Sequence, residues 1–310
     1  MKDVVHIPVM RTEVLSLLIG QNNSSGLVID ATLGAGGHSE ALLEKYPDIR
    51  IVGIDADEGM LGLAKKRLKK YGNRIDFVHG WFDDVLTELS TQCSVSAILM
   101  DLGVSVFHYQ SSGRGFSMFK DEPLDMRLFP GHGITAEEIL MTKTEEELVS
   151  IFSDFGEVRF AKTIAKSIIK HRRNNNIRTA KELADIVFNS VPSRFRHGRI
   201  HPATQVFQSL RIAVNNELSR LDRALSLSMS LLHDYGRCAV ISFHSLEDRI
   251  VKRFFKQNSN KDNDMYFNII TKKPLVPTED EIKNNPPSRS AKLRVAELVL
   301  CKDGVKHENV

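Results

Sequence analysis

Most of the chemistry-bearing residues in the first hundred positions belong to one glycine-rich turn and a few aspartates. The turn reads Asp30-Ala-Thr-Leu-Gly34-Ala-Gly36-Gly37-His38, between a β-branched run and a helical pattern. Glycines let the backbone bend sharply and approach a ligand, and a helix N-terminus favours negative groups. Ser39 stands where a G-x-G-x-x-G dinucleotide fingerprint needs its third glycine, and no Gly-Lys-Ser/Thr follows for a Walker-A loop. Asp55 ends the next strand-like run, 25 residues after Asp30. An acid there can accept hydrogen bonds from ribose hydroxyls. Turn and acid together point to an adenosine-containing ligand, NAD or S-adenosylmethionine. The missing pyrophosphate loop favours S-adenosylmethionine. Phe82, just after a third strand-like run, is placed to stack on the adenine or else belongs to the core.

A fourth run ends in Leu99-Met100-Asp101-Leu102-Gly103-Val104-Ser105. Ligands of doubly wound sheets bind beyond the carboxyl ends of the strands, so Asp101 is placed where a methyl donor would meet its acceptor. Further on, Ile241–Asp248 contains Ser, His and Asp in sequence, but adjacency is not triad geometry and no G-x-S-x-G elbow is present. His244 and Ser245 can instead shape a substrate pocket, or His244 can simply cap the next helix. Cys93, Cys238 and Cys301 are far apart, and none follows the Asp101 motif. Neither a disulfide framework, nor a zinc site, nor covalent thiolate catalysis is expected of them, and no metal is expected at all.

These groups need elements to position them. Leu27–Ala31, Arg50–Ile54, Ile75–His79 and Val95–Met100 read as strands alternating with helical patterns, including Glu58–Lys70. Such alternation predicts a parallel, doubly wound α/β sheet. Residues 135–225 read as mostly helical. Within an expected helix over Glu157–Arg173, the residues Arg159, Lys162, Lys166, Lys170 and Arg173 recur at i+3 or i+4 on one face. That row is either a solvated face or a surface for an anionic partner. A second long helix is expected along Phe207–Leu225, then a strand at Gly236–Phe243 and a helix at Glu247–Phe255. Phe267–Thr271 and Leu293–Cys301 are expected to pair as closing strands across a polar, mobile loop over Thr278–Ser290. The expected organisation is a discontinuous domain of residues 1–107 and 213–310, with residues 108–212 as a helical insertion.

Composition sets the outer bounds. In 310 residues, 42% are hydrophobic and 26% charged, ordinary for a globular chain. No apolar run approaches the roughly 20 residues of a membrane span, and the N-terminus lacks a secretory h-region. A soluble, cytoplasmic protein is expected. Net charge is only +3, but residues 151–215 hold 12 Lys and Arg against 4 Asp and Glu, while the remainder holds 30 against 35. A basic segment on a mildly acidic body is expected where part of a protein meets phosphate.

Taken together, the motifs resemble the bacterial 16S ribosomal RNA cytosine-N4 methyltransferases. The resemblance is carried by HIPVM at 6–10, DATLGAGGHS at 30–39, GIDADE at 53–58, LMDLGVS at 99–105, RGFSM at 114–118 and PLDMR at 123–127. It continues through FGEVRFAKTIAKSI at 155–168, HPATQVFQSLRIAVNNEL at 201–218, ISFHSLEDRIVKRFF at 241–255 and SRSAKLRVAE at 288–297. It implies a Rossmann-like class I methyltransferase domain that uses S-adenosylmethionine to methylate a decoding-centre cytosine at N4. By the same resemblance Gly36, Gly37 and His38 contact the cofactor, Asp55 its ribose and Phe82 its base. Asp101 lies by the transferred methyl, and His108 completes the cofactor contacts from a divergent Val106–Gln110 loop. The insertion, with Lys162, Lys166 and Lys170, would recognise RNA. The partners implied are 16S rRNA within the small subunit, with homodimerisation left open and no membrane. A silent RNA-binding or assembly protein and an NAD-dependent oxidoreductase are the rival classes. The intact cofactor turn with Asp55 speaks against the first, and the failed dinucleotide fingerprint against the second.

Overall fold

The structure, a computed structural model, describes residues 7–20, 25–198 and 200–301. His6, the first residue of the HIPVM motif, lies outside them. The chain divides into two compact units, residues 1–103 with 218–310, and residues 104–217. The changeovers fall at 103/104 and 217/218 rather than at the expected 107/108 and 212/213. Gly103, at φ 91°, turns the chain away directly after a strand, and α10 runs three residues past 212 before Asn216 breaks it in the left-handed region.

In chain order the first unit contributes α1 (Arg11–Leu17), β1 (Gly26–Asp30), α2 (Gly37–Lys45), β2 (Ile49–Asp55), α3 (Glu58–Leu68), β3 (Ile75–His79), α4 (Phe82–Leu89) and β4 (Val95–Asp101). The second unit holds α5 (Val106–Gln110), α6 (Ala136–Thr142), α7 (Glu145–Gly156), α8 (Ala161–Arg172), α9 (Ala180–Ser190) and α10 (Ala203–Asn215). The chain returns through α11 (Glu217–Leu231), β5 (Leu232–Ser242), α12 (Ser245–Gln257), β6 (Met265–Ile269), α13 (Glu279–Asn284) and β7 (Lys292–Leu300).

The seven strands form one sheet in the order β3-β2-β1-β4-β5-β7-β6. Strands β1 to β5 are parallel to one another, while β7 runs antiparallel to both β5 and β6. Parallel strands covered on both faces need apolar residues on both, and β4 is buried from Val95 to Met100. Successive residues serve opposite faces. Val28, Ile51, Ala97 and Leu99 pack with Val14, Leu42, Leu61 and Leu68 of α1 to α3. Ile29, Ile54, Ile98 and Met100 pack with Leu86, Leu225, Val251 and Phe255 of α4, α11 and α12.

The second unit buries its own core, including Leu148, Phe152, Ile164, Ile168, Leu183, Val187 and Leu210. Thr135, Thr144 and Thr179 each form a capping box with a glutamate three residues on, fixing where α6, α7 and α9 begin. Three expectations change here. The helix expected over Glu157–Arg173 begins only at Ala161, because Glu157 takes a left-handed φ of 49° and caps α7. Arg159 therefore leaves the cationic row and lies over the Phe195 ring, 4.3 Å from its centroid. The helix expected along Phe207–Leu225 is two, parted at Asn216. The Asn215 side chain marks that break by donating to the Met126 and Arg211 carbonyls.

The third change is in the first unit. The loop expected over Thr278–Ser290 is instead α13 followed by a 3₁₀ turn. Thr278 caps the helix, and Glu281 accepts a hydrogen bond from the Met10 N–H at 2.6 Å.

Candidate active site

Strand order reverses between β1 and β4, the position where an open α/β sheet leaves a crevice beyond its strand ends. Three strands at that edge each end in aspartate: β1 in Asp30, β2 in Asp55 and β4 in Asp101. The turn after β1 is built around them. Gly34 and Gly36 take left-handed φ angles of 55° and 78°. A Cβ on Gly36 would come within 2.7 Å of Leu68, and one on Gly37 within 3.2 Å of Pro8. Both glycines are thus demanded by close packing as well as by the turn. Asp55 pins the loop by accepting from the Gly34 N–H at 2.7 Å and from the Asp57 N–H at 2.8 Å. Thr32 accepts from the Asp101 N–H at 2.6 Å, fastening the turn to the end of β4.

Behind the turn lies a buried ionisable cluster. Asp30 is 1% exposed and His38 6%. Asp30 Oδ2 accepts from the Ser39 hydroxyl at 2.7 Å. Burial pushes the Asp30 carboxyl above the usual carboxylate range, against the lowering effects of Ser39 and His38, and the neighbouring Asp101 adds to the rise. His38 Nε2 is 3.5 Å from Asp101 Oδ2, without hydrogen-bond geometry. Asp30 Oδ1, His38 Nε2 and Asp101 Oδ1 are all buried with no partner in the protein. Unpaired buried polar atoms are costly, so their convergence at a sheet's switch point marks a place for a polar ligand.

The sequence-derived candidates separate into groups. Gly36, Gly37, His38, Asp55 and Asp101 come together at the switch point. Phe82 opens α4 half-buried against the Ile29 and Ile54 cluster, and its helix is tied to α11 by Asp83 and Arg220 at 2.5 Å. His108 belongs to the second unit, buried edge-on to Phe107 and Phe116 at 5.8 and 5.3 Å. His244 is the N-cap of α12. Its Nδ1 accepts from the Glu247 N–H, and Glu247 Oε2 accepts from the Phe243 N–H at 2.8 Å. Ser245 is the exposed first residue of that helix. Lys162, Lys166 and Lys170 are exposed along α8, with no ion pair among the described residues. Cys238 is fully buried and its thiol is pushed up to about 12 by burial. Cys93 is shifted upward for the same reason, so neither is a ready thiolate. The candidate set taken from the sequence omits Asp30, Thr32 and Ser39. The signal for Asp30 was its place as the last residue of β1, as Asp55 is of β2 and Asp101 of β4.

This sheet order, with a glycine turn after β1 and acids on the ends of β1, β2 and β4, defines a class I methyltransferase domain. The chain belongs to the MraW methylase family, whose model matches residues 3–299. It is similar to the Ribosomal RNA small subunit methyltransferase H of Treponema denticola, 44% identical over 308 residues that cover 95% of this chain and 98% of the relative. The protein of the same name from Borrelia turicatae is 46% identical over 297 residues, covering 95% and 98%. Among solved structures, an rRNA methylase from Streptococcus thermophilus aligns with a TM-score of 0.42 at 10% identity, covering 93% of each chain.

Proposed function

We propose that this protein uses S-adenosylmethionine to methylate the exocyclic N4 amine of a cytosine in the decoding centre of 16S rRNA, in the small ribosomal subunit in the cytoplasm. The observation that carries this reading is the buried, unpartnered set of Asp30 Oδ1, His38 Nε2 and Asp101 Oδ1 at the switch point. The relatives' shared name as ribosomal RNA small subunit methyltransferases supports the RNA class.

The residues fit the cofactor. Gly34, Gly36 and Gly37 keep the turn free of side chains, and the first N–H groups of α2 have no intrahelical acceptor and favour a carboxylate. A carboxylate offers about four acceptor positions, so Asp55 can pin Gly34 and still accept from ribose hydroxyls. Phe82 would bound the adenine. When bound, S-adenosylmethionine supplies an electrophilic methyl group on a sulfonium.

The N4 amine of cytosine is a poor nucleophile because its lone pair is delocalised into the ring. Asp101 answers that by accepting a hydrogen bond from the N4–H, which returns lone-pair density to nitrogen and holds the amine in line. Thr32, which accepts from the Asp101 N–H at 2.6 Å, holds the backbone that carries this carboxylate. Asp101→Ala is expected to lower methyl transfer by at least about 100-fold, with the protein folded and still retaining labelled S-adenosylmethionine; unimpaired turnover would remove Asp101 from the mechanism. The deciding experiment is mass spectrometry of nucleosides from small-subunit RNA with the gene deleted and then restored. Loss and recovery of N4-methylcytidine is the expected result, and an unchanged signal would favour an assembly role.

A further inference from the structure

We propose that the second unit carries a stacking platform for unpaired RNA bases, formed by Phe119, Phe188 and His201 with Arg196 beside them. The proposal rests on the RNA-methylation reading and names the surface that holds the strand.

Phe119 is 80% exposed, the most exposed large hydrophobic residue among those described. Its ring meets His201 edge-on at 6.2 Å between centroids. His201 in turn lies nearly parallel to Phe188, at 5.7 Å and 11°, and His197 stands edge-on to Phe188 at 5.7 Å. Packing accounts for Phe188, which is half-buried, but not for Phe119, whose ring contacts histidine while most of its surface faces solvent.

Acids adjoin these rings on one side, with Asp121 and Glu122 following Phe119 and Asp185 one turn before Phe188, while the segment after α9 is basic. Between Asp185 and Glu217 the sequence contains four arginines and no acid. Arg196 lies over the Phe188 ring at 5.3 Å, and its Nε and Nη2 donate to the Val191 and Asn189 carbonyls at the end of α9. That guanidinium is therefore held against an aromatic face before any ligand arrives. An exposed ring extending a stacked aromatic pair, with one guanidinium held against it, suits single-stranded RNA, whose bases stack on aromatic rings while arginines meet the phosphates. A duplex, with its bases already stacked, offers no such partner. The same surface suits a protein partner less well, because its aromatic rings are interleaved with cationic and imidazole groups.

The test uses the full-length protein and an unstructured oligoribonucleotide of about 12 nucleotides carrying 2-aminopurine, with binding read by anisotropy across a salt series. Phe119→Ala is expected to weaken binding about tenfold and to abolish the 2-aminopurine quenching that reports stacking. The slope of affinity against salt should not change, since no charge is lost. Phe119→Tyr should restore both readings. His201→Asn keeps a side-chain acceptor for the Ala203 N–H, which donates to His201 Nδ1 at 3.2 Å, so it removes the ring without removing that hydrogen bond. It should behave as Phe119→Ala does. Retention of S-adenosylmethionine should be unaffected in all three. RNA affinity within twofold of the parent in both ring-loss variants overturns the proposal, and so does a tyrosine variant as weak as alanine. Variants that bind RNA normally but fail only on assembled subunits would assign the surface to a ribosomal protein and also overturn it. If the parent protein itself neither binds the oligonucleotide nor methylates subunit RNA, the functional reading fails together with the platform.

Discussion

Asp30 sets a pH dependence that the exposed acids do not share. Burial raises its pKa in the folded protein, so folding favours the protonated form. Stability contributed by this group is complete at pH values below the usual carboxylate range and declines as pH rises through the raised, folded-state value. Asp30→Asn removes the ionisation while leaving an oxygen that can accept from Ser39. Thermal melts of the ligand-free protein should show Asn matching Asp near pH 4 and exceeding it near pH 8, while cofactor affinity falls. Equal melting temperatures at both pH values would mean that the burial of Asp30 is relieved by water. The cysteines give a second residue-scale test. At pH 8, iodoacetamide should label exposed Cys301 readily and spare Cys238, whose thiol is pushed up to about 12, until the protein is unfolded. Mass spectrometry of tryptic peptides reads both, and rapid labelling of Cys238 in the native state would contradict its burial.

At the scale of elements, α12 separates two roles for His244. The capping box holds its ring against the helix start, where losing an N-cap costs about 1 kcal/mol. His244→Ala should lower stability by about that amount, and His244→Asn, a strong N-cap residue, should restore it in denaturant melts. If Asn restores stability and methyl transfer together, capping explains the histidine; restored stability with transfer still impaired would give the ring a substrate role. The helix itself was legible in the sequence, though read from Glu247 rather than Ser245, as were β1 to β4, because β-branched runs and glycine turns are local signals. What the sequence did not reveal has a common physical origin. Glu157 and Asn216 adopt left-handed conformations without being glycine, and apolar spacing continues across both, so each single-residue break is invisible to periodicity. At Gly156 a Cβ would meet the Gln205 carbonyl at 2.6 Å, a close approach of α7 to α10 that only the packed unit defines. The α13 segment reads as a polar loop, yet Glu281 there accepts from the Met10 N–H, a partner 271 positions away. The candidate site follows the same rule: the glycine turn and Asp55 were legible, whereas the burial of Asp30 beside His38 depends on long-range packing.

Over the whole molecule, a net charge of +3 hides an uneven distribution, with the basic excess confined to residues 151–215. On the proposed function, a uniformly basic surface would repel the cationic sulfonium, so an excess confined to one segment can attract RNA without opposing the cofactor. Lys162, Lys166 and Lys170 test whether the basic segment acts by charge. They are exposed on one helix of the second unit, away from that unit's core residues Ile164 and Ile168, so replacing them should not disturb folding. Changing all three to Glu should weaken RNA binding. It should also flatten the plot of log affinity against log salt, by roughly 0.7 for each single-strand phosphate that is no longer neutralised. Removing a stacking ring such as Phe119 lowers affinity without touching that slope, so the two kinds of variant divide binding into ionic and stacking parts. An unchanged affinity and slope in the triple-Glu variant would make the α8 row a solvated face. RNA recognition would then rest on the surface of Phe119, Phe188, His201 and Arg196.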